Sequence, residues 1–217
     1  MSKLGKLFGG FRKQRRAAAD DAAEARTAIE WVVAGLGNPG GDYARSRHNV
    51  GFMTLRHLAR RKNVELGRRR FSGITAETEL AGHRAILVEP ETFYNSSGDC
   101  VAALLGYFKI SPANLIVVHD EMDLEAYRLR IKRGGGDAGN RGVRSIAESL
   151  GNADFIRVRI GLGRPGEGDD PRDYLLRPMR AGELEAYAPT LARAAEAVEA
   201  IIAEGMERAM GRFNQRA

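Results

Sequence analysis

Four side chains in this chain of 217 residues have the types and placement to do chemistry together: Asn38, His48, Asn95 and Asp120. A neutral imidazole is the side chain best matched to general-base work near pH 7. A carboxylate on its other ring nitrogen fixes the tautomer and favours the charged form once the ring has taken up a proton. Asp120, in the stretch His119-Asp120-Glu121-Met122-Asp123, is the best-placed carboxylate for His48. Asn38 and Asn95 add amides that donate and accept. No serine or cysteine stands in a recognisable nucleophile context, so direct attack by water is the simplest scheme. The histidines His48, His57, His83 and His119 and the single cysteine, Cys100, show no metal-ligand spacing, and neither metal nor organic cofactor is expected. His57 reads as a packing or surface residue and His83 as an exposed turn residue. His119 stays open, because it adjoins Asp120.

These four residues need elements that bring them to one place. Trp31-Val32-Val33-Ala34 is an apolar run that reads as a buried strand, and it feeds a loop with Gly35, Gly37, Pro39, Gly40 and Gly41. His48 follows, just before a helix expected over Val50–Lys62. Ile74–Glu79 and Arg84–Glu89 alternate and are joined by Ala81-Gly82, the pattern of a hairpin. Asn95, Ser96 and Ser97 suit the start of a helix running to Phe108. Leu115–Val118 reads as a buried strand ending at His119-Asp120, and Arg128–Lys132 as a short basic strand. A glycine loop over Gly134–Gly139 precedes a helix over Val143–Leu150. In a strand over Ile156–Gly161, Arg157 and Arg159 share one face. A loop over Pro165–Pro171 and a helix from Thr190 to about Arg208, with Pro189 at its start, complete the pattern. Strands separated by helices predict one α/β domain of three layers, with a twisted mixed sheet and helices on both faces. Strand ends and helix starts in such a fold converge on one edge, which is where all four residues fall.

The glycine loop has two readings. Gly35-x-Gly37-x-x-Gly40 formally matches the dinucleotide fingerprint, but Pro39 interrupts it and no acidic residue closes a second strand about 20 residues later. The whole string GLGNPGxxYxxxRHNVG instead resembles the signature of bacterial-type peptidyl-tRNA hydrolases, and the resemblance continues with gaps from about Ile29 to Gly205. It implies hydrolysis of the ester between a peptide and the 3′ ribose of tRNA, with peptidyl-tRNA as the nucleic-acid partner. By that resemblance His48 activates the water, Asp120 supports it, and Asn38 helps tell a blocked peptidyl group from a free aminoacyl group. Tyr43, Phe93 and Asn95 match positions that contact the tRNA end or the peptide backbone. Arg130, Lys132 and Arg159 match residues that hold phosphates. The chain departs from the family pattern where Asn140 and Arg141 replace the usual His-Asn and where Asp137 replaces a common histidine. Tyr94 stands for the usual methionine, and Glu125-Ala126-Tyr127 replaces a PPG. Asn140 and Arg141 remain candidate RNA contacts, Arg141 as a charged donor only. A rival from another class is an RNA-binding protein on the same scaffold with weak or no catalysis.

Composition agrees with a nucleic-acid partner. The net charge is +6, and residues 1–16 alone carry six Lys/Arg and no acid. Positions 31–166 hold 20 Lys/Arg against 14 Asp/Glu, so the basic middle contains the candidate site. Residues 1–28 read as a basic, flexible extension, with Leu4, Leu7, Phe8 and Phe11 as a patch that could touch RNA or an anionic membrane; residues 29–217 form the expected domain. No apolar run approaches a membrane span. One cysteine fits a reducing compartment, and a cytoplasmic monomer is expected, with organellar targeting by the extension left open.

Overall fold

The computed structural model describes residues 28–215. The expected extension therefore lies outside the described residues, apart from Ala28. The sheet has seven strands, in the order β2 (Arg68–Arg70), β3 (Gly73–Leu80), β4 (His83–Pro90), β1 (Trp31–Gly35), β5 (Leu115–Glu121), β7 (Ile156–Gly161) and β6 (Leu129–Arg133). β4, β1, β5 and β7 run parallel, while β2, β3 and β6 join antiparallel at the two edges. The expected mixed α/β sheet is the one formed.

Strand alternation divides the core. Val32 and Ala34 pack on one face with α2 (Ser97–Phe108) and α3 (Arg141–Leu150). Val33, Ile116 and Val118 pack on the other with α1 (Val50–Arg61), α5 (Ala181–Glu204) and α6 (Met206–Phe213). Leu55, Leu58, Leu104 and Ile146 are wholly buried between these layers, each contributing about 2 kcal/mol by leaving water.

Glycine 35 is explained by this packing. A Cβ there would stand 2.6 Å from the Gly51 carbonyl oxygen, and one on Gly51 would stand 2.4 Å from that of Val118. The first turn of α1 thus lies directly on the ends of β1 and β5, a close approach that only glycine permits. In a dinucleotide fold the glycine loop opens the helix itself. Here α1 begins at Val50, fifteen residues after Gly35, so the formal fingerprint does a different job. The Leu36 amide also donates to the Val118 carbonyl at 2.9 Å. His48, two residues before α1, and Asp120, two residues after Val118, are brought together by this crossing.

Three elements differ from expectation. Arg68–Arg70 forms an edge strand, although three exposed or half-buried arginines carry no apolar alternation. Pro171–Leu176 is a short helix, α4, where a loop had been expected to end. Asp170 caps it by accepting from the Arg172 amide at 2.6 Å, and Pro171 occupies its first turn. Finally, Pro189 lies inside α5 rather than at its start. Pro189 and Glu185, the residue four positions before it, are both exposed. The carbonyl that loses its amide partner therefore faces water, where the loss is cheapest. The helix ends at Gly205, φ +85°, and α6 follows. No helix among the described residues is long and apolar enough to cross a membrane.

Candidate active site

A cleft of about 470 Å³ opens at the carboxyl ends of β1, β4 and β5, and His48 and Asp120 both line it. His48 Nδ1 lies 3.0 Å from Asp120 Oδ1. The carboxylate can only accept, so Nδ1 carries the proton and Nε2 keeps a lone pair. The histidine side chain is 14% exposed and that of Asp120 is 4% exposed. A base with a lone pair toward a cleft and an acid sealed behind it is an arrangement for activating a water.

Asp120 sits in a strongly opposed field. Burial pushes its carboxyl pKa up, but the His48 charge, the His48 hydrogen bond and the Tyr94 hydroxyl together outweigh burial and leave it below the usual value. Tyr94 donates to Asp120 Oδ1 at 2.6 Å, and its ring stacks on the His48 imidazole with centroids 3.6 Å apart and planes 14° from parallel. Burial first, and then the Asp120 charge, raise the Tyr94 phenol well above its ordinary pKa, so it remains a donor.

The loop around Asn38 is built by Asn49. The Asn49 side chain accepts from the Asn38 amide at 2.8 Å and donates to the Asn38 carbonyl at 2.9 Å. Asn38 Oδ1 in turn accepts from the Tyr94 backbone amide at 3.2 Å. That leaves the Asn38 Nδ2 donors without a partner among the described residues, at the cleft wall.

Asn38, Tyr43, Phe93, Asn95, Asn140 and Arg141 all join His48 and Asp120 in lining the cleft. Phe93 is 71% exposed, unusual for an aromatic side chain at a site edge. Arg141, exposed at the start of α3, makes no side-chain hydrogen bond or ion pair among the described residues. Asn140 serves as the cap of α3, its Oδ1 accepting from the Val143 amide at 3.0 Å. Its Nδ2 points back to the Tyr94 hydroxyl at 2.9 Å.

Arg130, Lys132 and Arg159 are not in the cleft. Arg130 and Arg159 are register partners on β6 and β7, with Lys132 opposite Arg157. Leu129, Ile131, Val158 and Ile160 point into the α5 core, so the basic side chains share the other face. Arg159 pairs with Glu121 at 2.9 Å, and Glu121 lines the cleft, which links the basic face to it. Arg157 is the exception on that face. It is buried under the glycine loop, donating to the Gly134, Gly135 and Gly136 carbonyls. His119 is resolved as a buried residue whose pKa is lowered to about 4, chiefly by burial. Its Nδ1 donates to the adjacent Asp120 carbonyl at 2.7 Å.

Sequence reasoning missed Tyr94 as a partner of His48 and Asp120, Asn49 as the brace of the loop, and Arg172 and Leu175 of α4 as cleft wall. Asp170 before Pro171 is a helix-start signal that would have found the last. Nothing local marks Tyr94 or Asn49, whose partners are distant in sequence.

Comparison with known proteins agrees on one family. The family model described as peptidyl-tRNA hydrolase matches residues 32–217. A peptidyl-tRNA hydrolase of Frankia casuarinae is 47% identical over 184 residues, covering 85% of this chain and 93% of that protein. One from Trichlorobacter lovleyi is 44% identical over 185 residues, covering 85% and 95%. Among solved structures, the crystal structure of peptidyl-tRNA hydrolase from Acinetobacter baumannii superposes with a TM-score of 0.79 at 31% identity, covering 85% of this chain and 94% of that one.

Proposed function

This chain belongs to the peptidyl-tRNA hydrolase family, and from that premise we propose that His48 is the base with which it hydrolyses the ester of peptidyl-tRNA. The observation that carries the assignment is the His48–Asp120 pair at 3.0 Å, with Nε2 left for the cleft. Nε2 takes a proton from water as the water oxygen attacks the ester carbonyl carbon. The tetrahedral intermediate collapses by breaking the bond to the ribose oxygen, and the proton on Nε2 passes to that oxygen. Free peptide acid and free tRNA leave, and the imidazole is neutral again.

The remaining roles follow the cleft. Asn38 Nδ2 donates to a peptide carbonyl, which a free aminoacyl group lacks. Tyr43, Phe93 and Asn95 hold the tRNA end, with the exposed Phe93 ring offering a base a stacking face. Arg141 meets a phosphate, and Arg130, Lys132 and Arg159 meet others along the β6–β7 face. The partner is peptidyl-tRNA, and the proposed working form is a monomer. The buried Cys100 thiol, its pKa pushed up to about 12 chiefly by burial, fits work in the reducing cytoplasm.

The test is cleavage of N-acetylated aminoacyl-tRNA, followed as release of the blocked amino acid. His48→Ala is expected to fold and to lose about 10²–10⁴-fold in turnover. A folded His48→Ala protein that keeps most activity assigns the base elsewhere.

A further inference from the structure

Resting on His48 as the base, we propose that Tyr94 is a positioning residue of the reaction, set in its role by Asn140 from the cap of α3. The two side chains stand at positions where the chain departs from the family pattern, and they touch each other at 2.9 Å.

The argument is one of hydrogen-bond direction. An asparagine amide can be flipped without changing its shape, so its neighbours must decide its orientation. Here the Val143 N–H can only donate, which makes the atom facing it Oδ1. Nδ2 therefore faces Tyr94, and the phenol oxygen accepts from it. A hydroxyl has one proton. With its oxygen already accepting, that proton is free for Asp120 Oδ1, and the contact is the short one, 2.6 Å. The phenol proton therefore points at the same carboxylate oxygen that accepts from His48 Nδ1, so Tyr94 sets how much of that oxygen's charge the imidazole meets. The order runs from a helix cap to an amide, a phenol, a carboxylate and the base.

Tyr94 also acts on the ring directly. Its stack on His48 at 3.6 Å fixes the plane in which Nε2 points. Space for the phenol ring is kept by Gly142, where a Cβ would stand 2.6 Å from Tyr94 Cε1. Because Tyr94 and His48 share a single oxygen of Asp120, the phenol draws off part of the charge that would otherwise stabilise the imidazolium. The phenol thus competes with His48 Nδ1 for that oxygen. The other titratable or charged groups facing the pair are His119 and Glu121 from β5, Tyr43, Arg141 from α3 and Arg172 from α4.

The experiment measures kcat/KM of Tyr94→Phe, Asn140→Ser and the double variant from about pH 5 to 9. It adds ¹⁵N NMR of the His48 ring. Phenylalanine keeps the stack and removes the hydroxyl. Serine keeps an acceptor for the Val143 amide and cannot reach Tyr94. Tyr94→Phe is expected to move the acid limb of the profile upward by about half a pH unit and to lower kcat several-fold with KM little changed. Asn140→Ser should move the limb the same way, the double variant no further than Tyr94→Phe alone, and the ¹⁵N titration of the His48 ring should move with the limb in each. An unmoved limb with an unchanged ring spectrum in both single variants overturns the proposal, as does full additivity in the double variant. If one single variant does not fold, the other decides by the same readouts. Should wild type itself fail to cleave the ester, the proposed function fails, while the ring spectra still report whether Tyr94 and Asn140 tune the His48–Asp120 pair.

Discussion

Glu89, near the end of β4, and Asp120, near the end of β5, flank β1 on its two sides and are 2% and 3% exposed. The fold treats these two acids in opposite ways. Glu89 has one side-chain partner among the described residues, Arg56, which donates through Nε at 2.9 Å and Nη2 at 2.8 Å from a side chain that is 44% exposed. Burial raises its pKa, and Arg56 does not cancel the effect. Asp120 is buried to nearly the same degree, yet its pKa is lowered, because an imidazole and a phenol converge on one oxygen and Asn140 Nδ2 approaches the same oxygen at 3.5 Å. Burial alone does not make a working acid. The number of donors aimed at the carboxylate, and what those donors touch next, separates a pair that fastens α1 to the sheet from one that orients the His48 ring.

The largest effect that could break this contrast is at Asp120. Asp120→Asn keeps the shape and replaces an acceptor by an amide that can present a donor to His48, allowing the other tautomer. Turnover should fall by roughly 10²-fold, less than for loss of the base itself. The sign of the stability effect also follows. A carboxyl with a lowered folded pKa contributes stability that is present above its unfolded value near 4 and is lost as pH falls through the folded value. Urea titrations of wild type and variant should therefore differ at neutral pH and converge in acid. Activity within twofold of wild type in Asp120→Asn would end the distinction between the two acids.

Glu89→Gln is the matching control. Turnover should stay within about twofold, and stability at pH 7 should change by no more than about 1 kcal/mol. Its pH dependence should be opposite in sense to that of Asp120. A carboxyl with a raised folded pKa holds its proton in the native state after the unfolded chain has lost it, so stability declines as pH rises between the two values. Wild type should show that decline above about pH 4.5 and Glu89→Gln should not, as read from unfolding midpoints in a pH series.

How far the contrast was readable in advance depends on the range of the contacts. The strands β1, β3, β4 and β5 announce themselves by local alternation or apolar runs, and so does the edge where the site lies. His48, Asp120 and Asn38 stand out because the residue types are rare in such positions and the string around them is long. Glu89 gave no signal, since a charged residue near a strand end is usually solvated. Arg157 read as one of two arginines sharing a strand face, and only the glycine loop folded over it makes it a buried brace. Pro189 misled for a related reason: a proline is best tolerated at a helix start, but the capping signals at Arg180 and Glu183 and an exposed Glu185 let α5 begin eight residues earlier. The misses at Glu89 and Arg157 involve partners far away in sequence, whereas those at α4 and at the start of α5 turn on caps close by.

The smallest effect concerns a third kind of charge at the same edge. Arg141 is exposed and has no acidic partner among the described residues, unlike Arg56 or Arg159. A cation at the cleft wall with nothing among the described residues to satisfy it is positioned for a ligand, and the ligand's available charge is phosphate. Arginine supplies donors and no acceptor, whereas asparagine supplies both. Arg141→Asn should therefore reduce the slope of log affinity against log salt by at most about one phosphate contact, roughly 0.7 for single-stranded RNA. Cleavage should become faster, since the amide can accept from a ribose hydroxyl as well as donate. Binding and single-turnover cleavage measured separately across a salt series distinguish the two effects. An unchanged slope together with abolished cleavage would place Arg141 with Asp120, as a group acting on the reacting atoms, rather than with the phosphate-binding surface.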